Sequence, residues 1–185
     1  MCVFKKLLCV IILFSSQLVY SQCGGSSFQT VIGGIGAERA HDIKRTTDNG
    51  YIIAGETTSS GAGAKDIVLV KVDVNGVVEW SNTYGSASID DGNSISVVQT
   101  QDGGYAIAGQ TEGFGAGTNY DAFIIKVNGI GTVLWEQQFT GASFEGFRGI
   151  VELSNGDIIA TGNTQWEWWN PSKFCERTNV YFIKK

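Results

Sequence analysis

The residues of this chain that could do chemistry are few, and most of them recur at regular intervals. His41 is the only histidine, which excludes a site built on two histidines, and no Gly-x-Ser-x-Gly nucleophile elbow follows residue 21. An acid stands at a similar place in three successive stretches, as Glu38, Asp90 and Glu145. Three carboxylates around one axis are candidates for a cation such as Ca²⁺, which collects six to eight oxygens. The commoner use of an acid at a loop corner is to accept hydrogen bonds from its own loop, and that reading is preferred. Asp66, Asp121 and Asn179 are expected to open their strands in the same manner. Glu145 with Glu167, or Asp90 with Asp91, has the groups for glycoside hydrolysis, but that reaction demands a set carboxylate separation that spacing in sequence does not supply. His41 aligns with Asn93 and Arg148 at polar loop positions, as a solvated residue would. Neither catalytic residues nor a cofactor is expected.

The other conspicuous group is Trp166-Glu167-Trp168-Trp169, followed by Asn170-Pro171. Flat indole faces beside carboxylates and amides are what sugar rings stack on, and exposed aromatic patches mark interaction sites. Against this stands the possibility that the indoles cap an open end of the core. Trp166, Trp168 and Trp169, with Tyr120 and Arg148 on neighbouring loops, form the candidate ligand-binding set.

What must position these residues is a repeat about 54 residues long. Asp48-Asn49-Gly50-Tyr51-Ile52-Ile53-Ala54-Gly55-Glu56-Thr57 matches Asp102-Gly103-Gly104-Tyr105-Ala106-Ile107-Ala108-Gly109-Gln110-Thr111. The third copy runs from Ser154 to Thr164 with one extra residue, which a β-bulge would absorb. Asp66 to Lys71 matches Asp121 to Lys126 and then Asn179 to Lys184, and Gly76 to Trp80 matches Gly131 to Trp135. Each unit reads as four short strands, with Asn49-Gly50 and Asn75-Gly76 as hairpin turns. Runs such as Ile67 to Val70 are apolar without alternation, so the sheets are expected to be covered on both faces. Trp80 and Trp135, at equivalent strand positions, are expected in the core. In a four-stranded meander the tight turns share one end and the longer, variable connections the other, where binding residues usually lie.

The order Asp-Gly-Gly-Tyr, Ala-Gly-x-Thr, Asp with an apolar run and Lys, then Gly and Trp resembles the β-propeller repeats of secreted bacterial proteins. The resemblance spans nearly all of residues 22–185, in repeats of about 28–80, 81–135 and 136–185. It implies an all-β, propeller-type fold of three four-stranded blades, and a fold of this kind implies little about function. The third copy lacks the strand carrying Trp, and Phe28 to Gly34 resembles the residues following Trp80 and Trp135. The N-terminal strand is therefore expected to complete the last blade. Closed propellers usually have 4 to 8 blades, so three suggest a piece of a ring, a homo-oligomer completing one, or another closure such as a β-trefoil or β-prism.

The first residues read as an export signal: Lys5 and Lys6, an apolar run from Leu7 to Tyr20, and a small residue, Ser21, before the expected cleavage. The run is interrupted by Ser15, Ser16 and Gln17 and is too short to span a bilayer. Lipidation at Cys23 is the less favoured alternative. Removal of residues 1–21 takes Cys2 and Cys9 away and leaves Cys23 and Cys175, which can form one disulfide in an oxidising compartment. With 13 basic and 18 acidic residues scattered along the sequence, the net charge of −5 offers no basic stripe for nucleic acid. These features together predict a secreted or cell-surface binding or adhesion module that meets a glycan or a surface protein, with a carbohydrate-active hydrolase and a purely structural fragment as alternatives.

Overall fold

The computed structural model describes residues 29–62, 64–85, 95–111, 120–140, 145–165 and 176–183. Every regular element in them is a strand. β1 (Glu38–Arg45), β2 (Tyr51–Thr57), β3 (Asp66–Val72) and β4 (Val78–Tyr84) form one antiparallel sheet in chain order. β5 (Ser96–Gln99), β6 (Tyr105–Thr111), β7 (Asp121–Val127) and β8 (Val133–Phe139) form the second. β9 (Glu145–Glu152), β10 (Ile158–Gln165) and β11 (Glu176–Ile183) form a three-stranded third. The sheets stack face to face as propeller blades do, and no barrel of the trefoil kind closes among the described residues.

The tight turns are built from local hydrogen bonds that their residue types supply. In the first, the Gly50 carbonyl accepts from Thr46 N at 2.9 Å while Asn49 carries the positive φ of 68°, which asparagine tolerates better than most residues. Gly103 and Gly156 hold that position in the other two repeats, at φ 80° and 85°. The β3–β4 turn is a second loop of the same design, in which Asp73 Oδ1 accepts from the backbone N–H of Asn75 and Val77, both at 2.8 Å. All these turns emerge at one end of the stack, so the longer connections emerge at the other.

One stacking operation is used twice. The front face of the first sheet, with Ile52, Ala54, Ile67 and Leu69 fully buried, packs on the back face of the second, with Val97, Ile107, Phe123 and Ile125. The front of the second, Ala106, Ala108, Ala122 and Ile124, packs on Phe147, Ile158 and Ala160 of the third. β6 and β7 are consequently buried at every position, which is why their sequences do not alternate. Each fully buried Ile or Phe contributes about 1.5–3 kcal/mol. Trp80 and Trp135 lie at the margin of these cores, partly buried, with the Trp80 ring 5.8 Å from that of Tyr105.

Polar bonds fix how each sheet sits on the next. The Tyr84 hydroxyl donates to the Gly131 carbonyl at 2.7 Å and Asn82 Nδ2 to the Ile130 carbonyl at 3.1 Å. The Asp42 carboxylate accepts from Val97 N and Ser96 Oγ. Gln99 accepts from Thr47 N at 2.8 Å between the first two sheets, and Glu152, its equivalent, accepts from Gln101 N at 2.7 Å between the second and third.

Three sequence expectations need correction. Residues 29–37 form no strand and do not pair with the third sheet; they cross the back of the first, where Thr30 Oγ1 donates to the Gly76 carbonyl at 2.9 Å. The third copy needs no extra residue in β10, because it aligns with the others from Asn155. The bulges lie instead in the first strands, at His41 in β1 and Arg148 in β9, and in the fourth strands, at Glu79 in β4 and Leu134 in β8. Finally, β11 stands two residues away from the expected register. Ile159 pairs with Phe182, whereas its equivalents Ile52 and Ala106 pair with Lys71 and Lys126, and Asn179 falls inside the strand opposite Gly162 instead of opening it.

The reason for the shifted register lies in a lock that the third repeat lacks. Lys71 Nζ, buried, reaches Asp48 at 2.8 Å, Glu79 at 2.6 Å and the Val72 carbonyl at 3.0 Å. Lys126 Nζ likewise meets both carboxylate oxygens of Asp102 and the Val127 carbonyl, all at 3.0 Å. The ammonium tucks beneath the turn, against Gly50 or Gly104: a Cβ on Gly104 would stand 2.6 Å from Lys126 Nζ and 2.2 Å from the Val127 carbonyl. In the third repeat the aspartate is Asn155 and the glycine is Asp157. With no carboxylate at the Asp48 position and a side chain in place of the glycine, the third turn has no counterpart of the space that receives Lys71 and Lys126.

Candidate binding face

The loop end carries charged side chains set by the first strands of the repeats. The bulge in β1 turns His41 inward beside Glu56, at the end of β2, with Nε2 3.6 Å from Glu56 Oε2. Arg39 and Lys65 approach the same carboxylate at 3.6 and 3.5 Å. These separations are Coulombic contacts longer than hydrogen bonds, and His41 Nε2 and Glu56 Oε2 have no hydrogen-bond partner within the protein. One buried carboxylate is thus ringed by three basic groups. His41 is therefore a largely buried strand residue, contrary to the solvated loop position expected, and the register puts Ile95 of the second repeat, not Asn93, at its equivalent place.

Glu38, at the head of β1, accepts hydrogen bonds from Ser59 Oγ and, at 3.2 Å, from Thr57 Oγ1. The Ser59 bond holds its carboxyl below the usual range, helped by the Gly34 N–H and Thr57 and opposed by burial. Ser59 Oγ and Thr58 Oγ1 in turn accept from Gly36 N and Ala37 N, both at 2.7 Å. Glu38 is thus spent on tying the loop after β2 to the segment before β1. Glu145 holds the equivalent place at the head of β9, and its backbone N–H donates to the Tyr120 carbonyl at 2.8 Å. Asp66 also acts locally, with Oδ1 accepting from Ala62 N at 3.1 Å.

Of the candidate ligand-binding residues, Tyr120 and Arg148 lie at this end. Tyr120 is half-buried and joined to Glu145; Arg148 is exposed, with Nε donating to Asn163 Oδ1 at 3.1 Å. Trp166, Trp168 and Trp169, and likewise Asp90, Cys23 and Cys175, lie outside the described residues. The structure does show a pattern that sequence reading missed: Glu56, Gln110 and Asn163 occupy one position at the end of the second strand, each paired in register with the first or third strand. The signal was available as three different polar residues beside an otherwise constant glycine. Beside Glu56, a cavity of about 600 Å³ opens between the back of the first sheet and residues 30–34, with Ile53, Val68 and Val70 as its floor and Glu38, Arg39 and Ser59 at its rim.

Among the described residues no cluster of His, Cys, Asp and Glu has the arrangement of a metal site, and no helix is long and apolar enough to cross a membrane. Compared with known proteins, the chain matches no family model and no curated protein sequence.

Proposed function

We propose that the chain is an exported, non-catalytic binding scaffold of propeller type whose loop end meets a glycan or a cell-surface protein. The observation that carries this is the contrast between the two ends of one repeated framework. At the turn end the first two repeats keep the same Asp, Gly and Lys in the same bonds. At the loop end equivalent positions differ in charge and size: Glu56, Gln110 and Asn163 in one row, His41, Ile95 and Arg148 in another. A framework held constant beneath side chains that vary is how binding surfaces are mounted on rigid folds. The Trp166 to Trp169 stretch belongs by sequence to the connection between β10 and β11, which leaves from this end.

The test is a glycan array probed with the intact protein, with Trp168→Ala and with Arg148→Ala. Retention of defined glycans by the parent and their loss from Trp168→Ala supports the reading. A blank array together with failure to bind any bacterial or host cell surface ends it. Release of reducing sugar by the parent, abolished in Glu145→Gln, would replace it with the hydrolase.

A further inference from the structure

The stack has two open ends that are complementary by construction. The back of the first sheet is repeat-equivalent to faces that sheets two and three bury, yet among the described residues it has no sheet against it. Ile43 on this face is 57% exposed, whereas Val97, its equivalent in the second sheet, is 0% exposed. Ile53 and Val68 are half-buried where their equivalents Ile107 and Phe123 are buried. At the other end, the front of the third sheet leaves Val151 47% exposed and Thr161 exposed, although the equivalent fronts of sheets one and two are covered.

The segment before β1 shows what belongs there. It lies on the first sheet as β4 lies on the second. Thr30, equivalent to Asn82 by sequence, donates to the Gly76 carbonyl, while Asn82 and Tyr84 donate to the carbonyls of Ile130 and Gly131 in the equivalent turn. Residues 29–33 thus occupy the place of the outer strand of a sheet preceding the first, but without that sheet, and the cavity of about 600 Å³ beneath them is part of the gap. Among the described residues, the third sheet has the reverse deficit, with three strands and β11 at its edge.

We propose that a second copy of this chain supplies the missing sheet: its third sheet stacks on the back of the first, takes residues 29–33 as its fourth strand, and gives its own segment in return. Two identical joints related by a twofold axis then close a ring of six blades, within the usual range of four to eight. The joint repeats the stacking already used twice within the chain, so no new packing is invented. It does lack one bond. Arg45 stands where Gln99 and Glu152 accept from the neighbouring turn, so this joint rests on its apolar faces and the exchanged strand. The inference concerns assembly and stands apart from what the loop end binds.

Light scattering of the purified full chain tests it, with mass compared against the same sample in denaturant. The expected result is twice the unfolded mass across micromolar concentrations. Ile43→Arg and Val151→Arg alter side chains that are solvent-exposed in a single chain, so each should fold, with an unchanged circular dichroism spectrum, and each should halve the native mass. Val77→Arg, exposed but on a turn, should leave the mass doubled. Hydrogen exchange should find the amides of 29–33 protected in the parent and released in Ile43→Arg. A native mass of one chain, a series of larger assemblies, a dimer that survives both variants, or unprotected amides at 29–33 would each overturn the proposal.

Discussion

Asp102→Ala and Lys126→Met remove the two halves of one lock, and the structure predicts that they are far from equal. The Lys126 side chain is 1% exposed and that of Asp102 is 40% exposed. Losing Asp102 strands a buried ammonium with the Val127 carbonyl as its remaining oxygen among the bonds described, and also removes the acceptor for Thr100 Oγ1 and Gly104 N. Breaking a buried pair in this direction costs roughly 3–5 kcal/mol, and the partial exposure of the aspartate lowers that to about 2–3 kcal/mol. Losing the lysine leaves a carboxylate that keeps its turn bonds and reaches water, at a cost of about 1 kcal/mol or less. The double variant should recover about 1–2 kcal/mol relative to the sum. Urea unfolding followed by tryptophan fluorescence reads these differences as midpoint shifts at constant slope. A Lys126→Met variant as damaged as Asp102→Ala, or strict additivity in the double variant, would refute the reasoning.

Acid should act through the same locks. The Lys71 bond, with Thr46 and Gly50 N, holds Asp48 far below the ordinary carboxylate range; at Asp102 burial acts upward, but Thr100, Lys126 and Gly104 outweigh it. Depressed folded values place their contribution above the unfolded value of about 4, so stability should fall as pH drops below that point, and less steeply in Asp48→Ala, as acid titration of the urea midpoint would show. At Lys71 burial acts downward, yet the bonds its ammonium donates to Asp48 and Glu79 win and raise its value; that contribution should be complete below about pH 10 and fade above it. Tyr84→Phe should cost about 1–2 kcal/mol in the same unfolding assay by leaving the Gly131 carbonyl without its donor, with no steric penalty because Phe139 fills the equivalent place. Gly104→Ala, driven into the Val127 carbonyl, should cost about 2 kcal/mol or more, whereas Asp157→Gly at the equivalent turn should cost less than about 1 kcal/mol.

How far the sequence disclosed this arrangement depends on which forces act locally. The repeat, the turns and the doubly covered sheets were legible because Asp, Asn and Gly at fixed offsets dictate hairpins and because the runs Tyr105 to Ala108 and Ala122 to Ile125 are apolar without alternation. The loop end was not, since the bulge in β1 decides whether His41 faces Glu56 or water, and residue type alone does not announce a bulge. Matching Lys184 to Lys71 and Lys126 followed the most visible residue. The register is instead set by whether Asp and Gly are present to receive an ammonium, and at Asn155 and Asp157 they are not. The N-terminal segment resembles the residues after Trp80 and Trp135, but it forms no strand, and its place on the first sheet depends on a hydrogen bond to Gly76 that no local pattern encodes.

The binding reading is tested most directly by hydrogen exchange on the protein with and without the glycan or surface protein that it captures. Added protection should fall on the loop end, in residues 56–65, 111–121, 145–148 and 163–178, and leave the turns at 46–50, 100–104 and 153–157 unchanged. Protection centred on those turns, with the loop end exchanging as before, would contradict it.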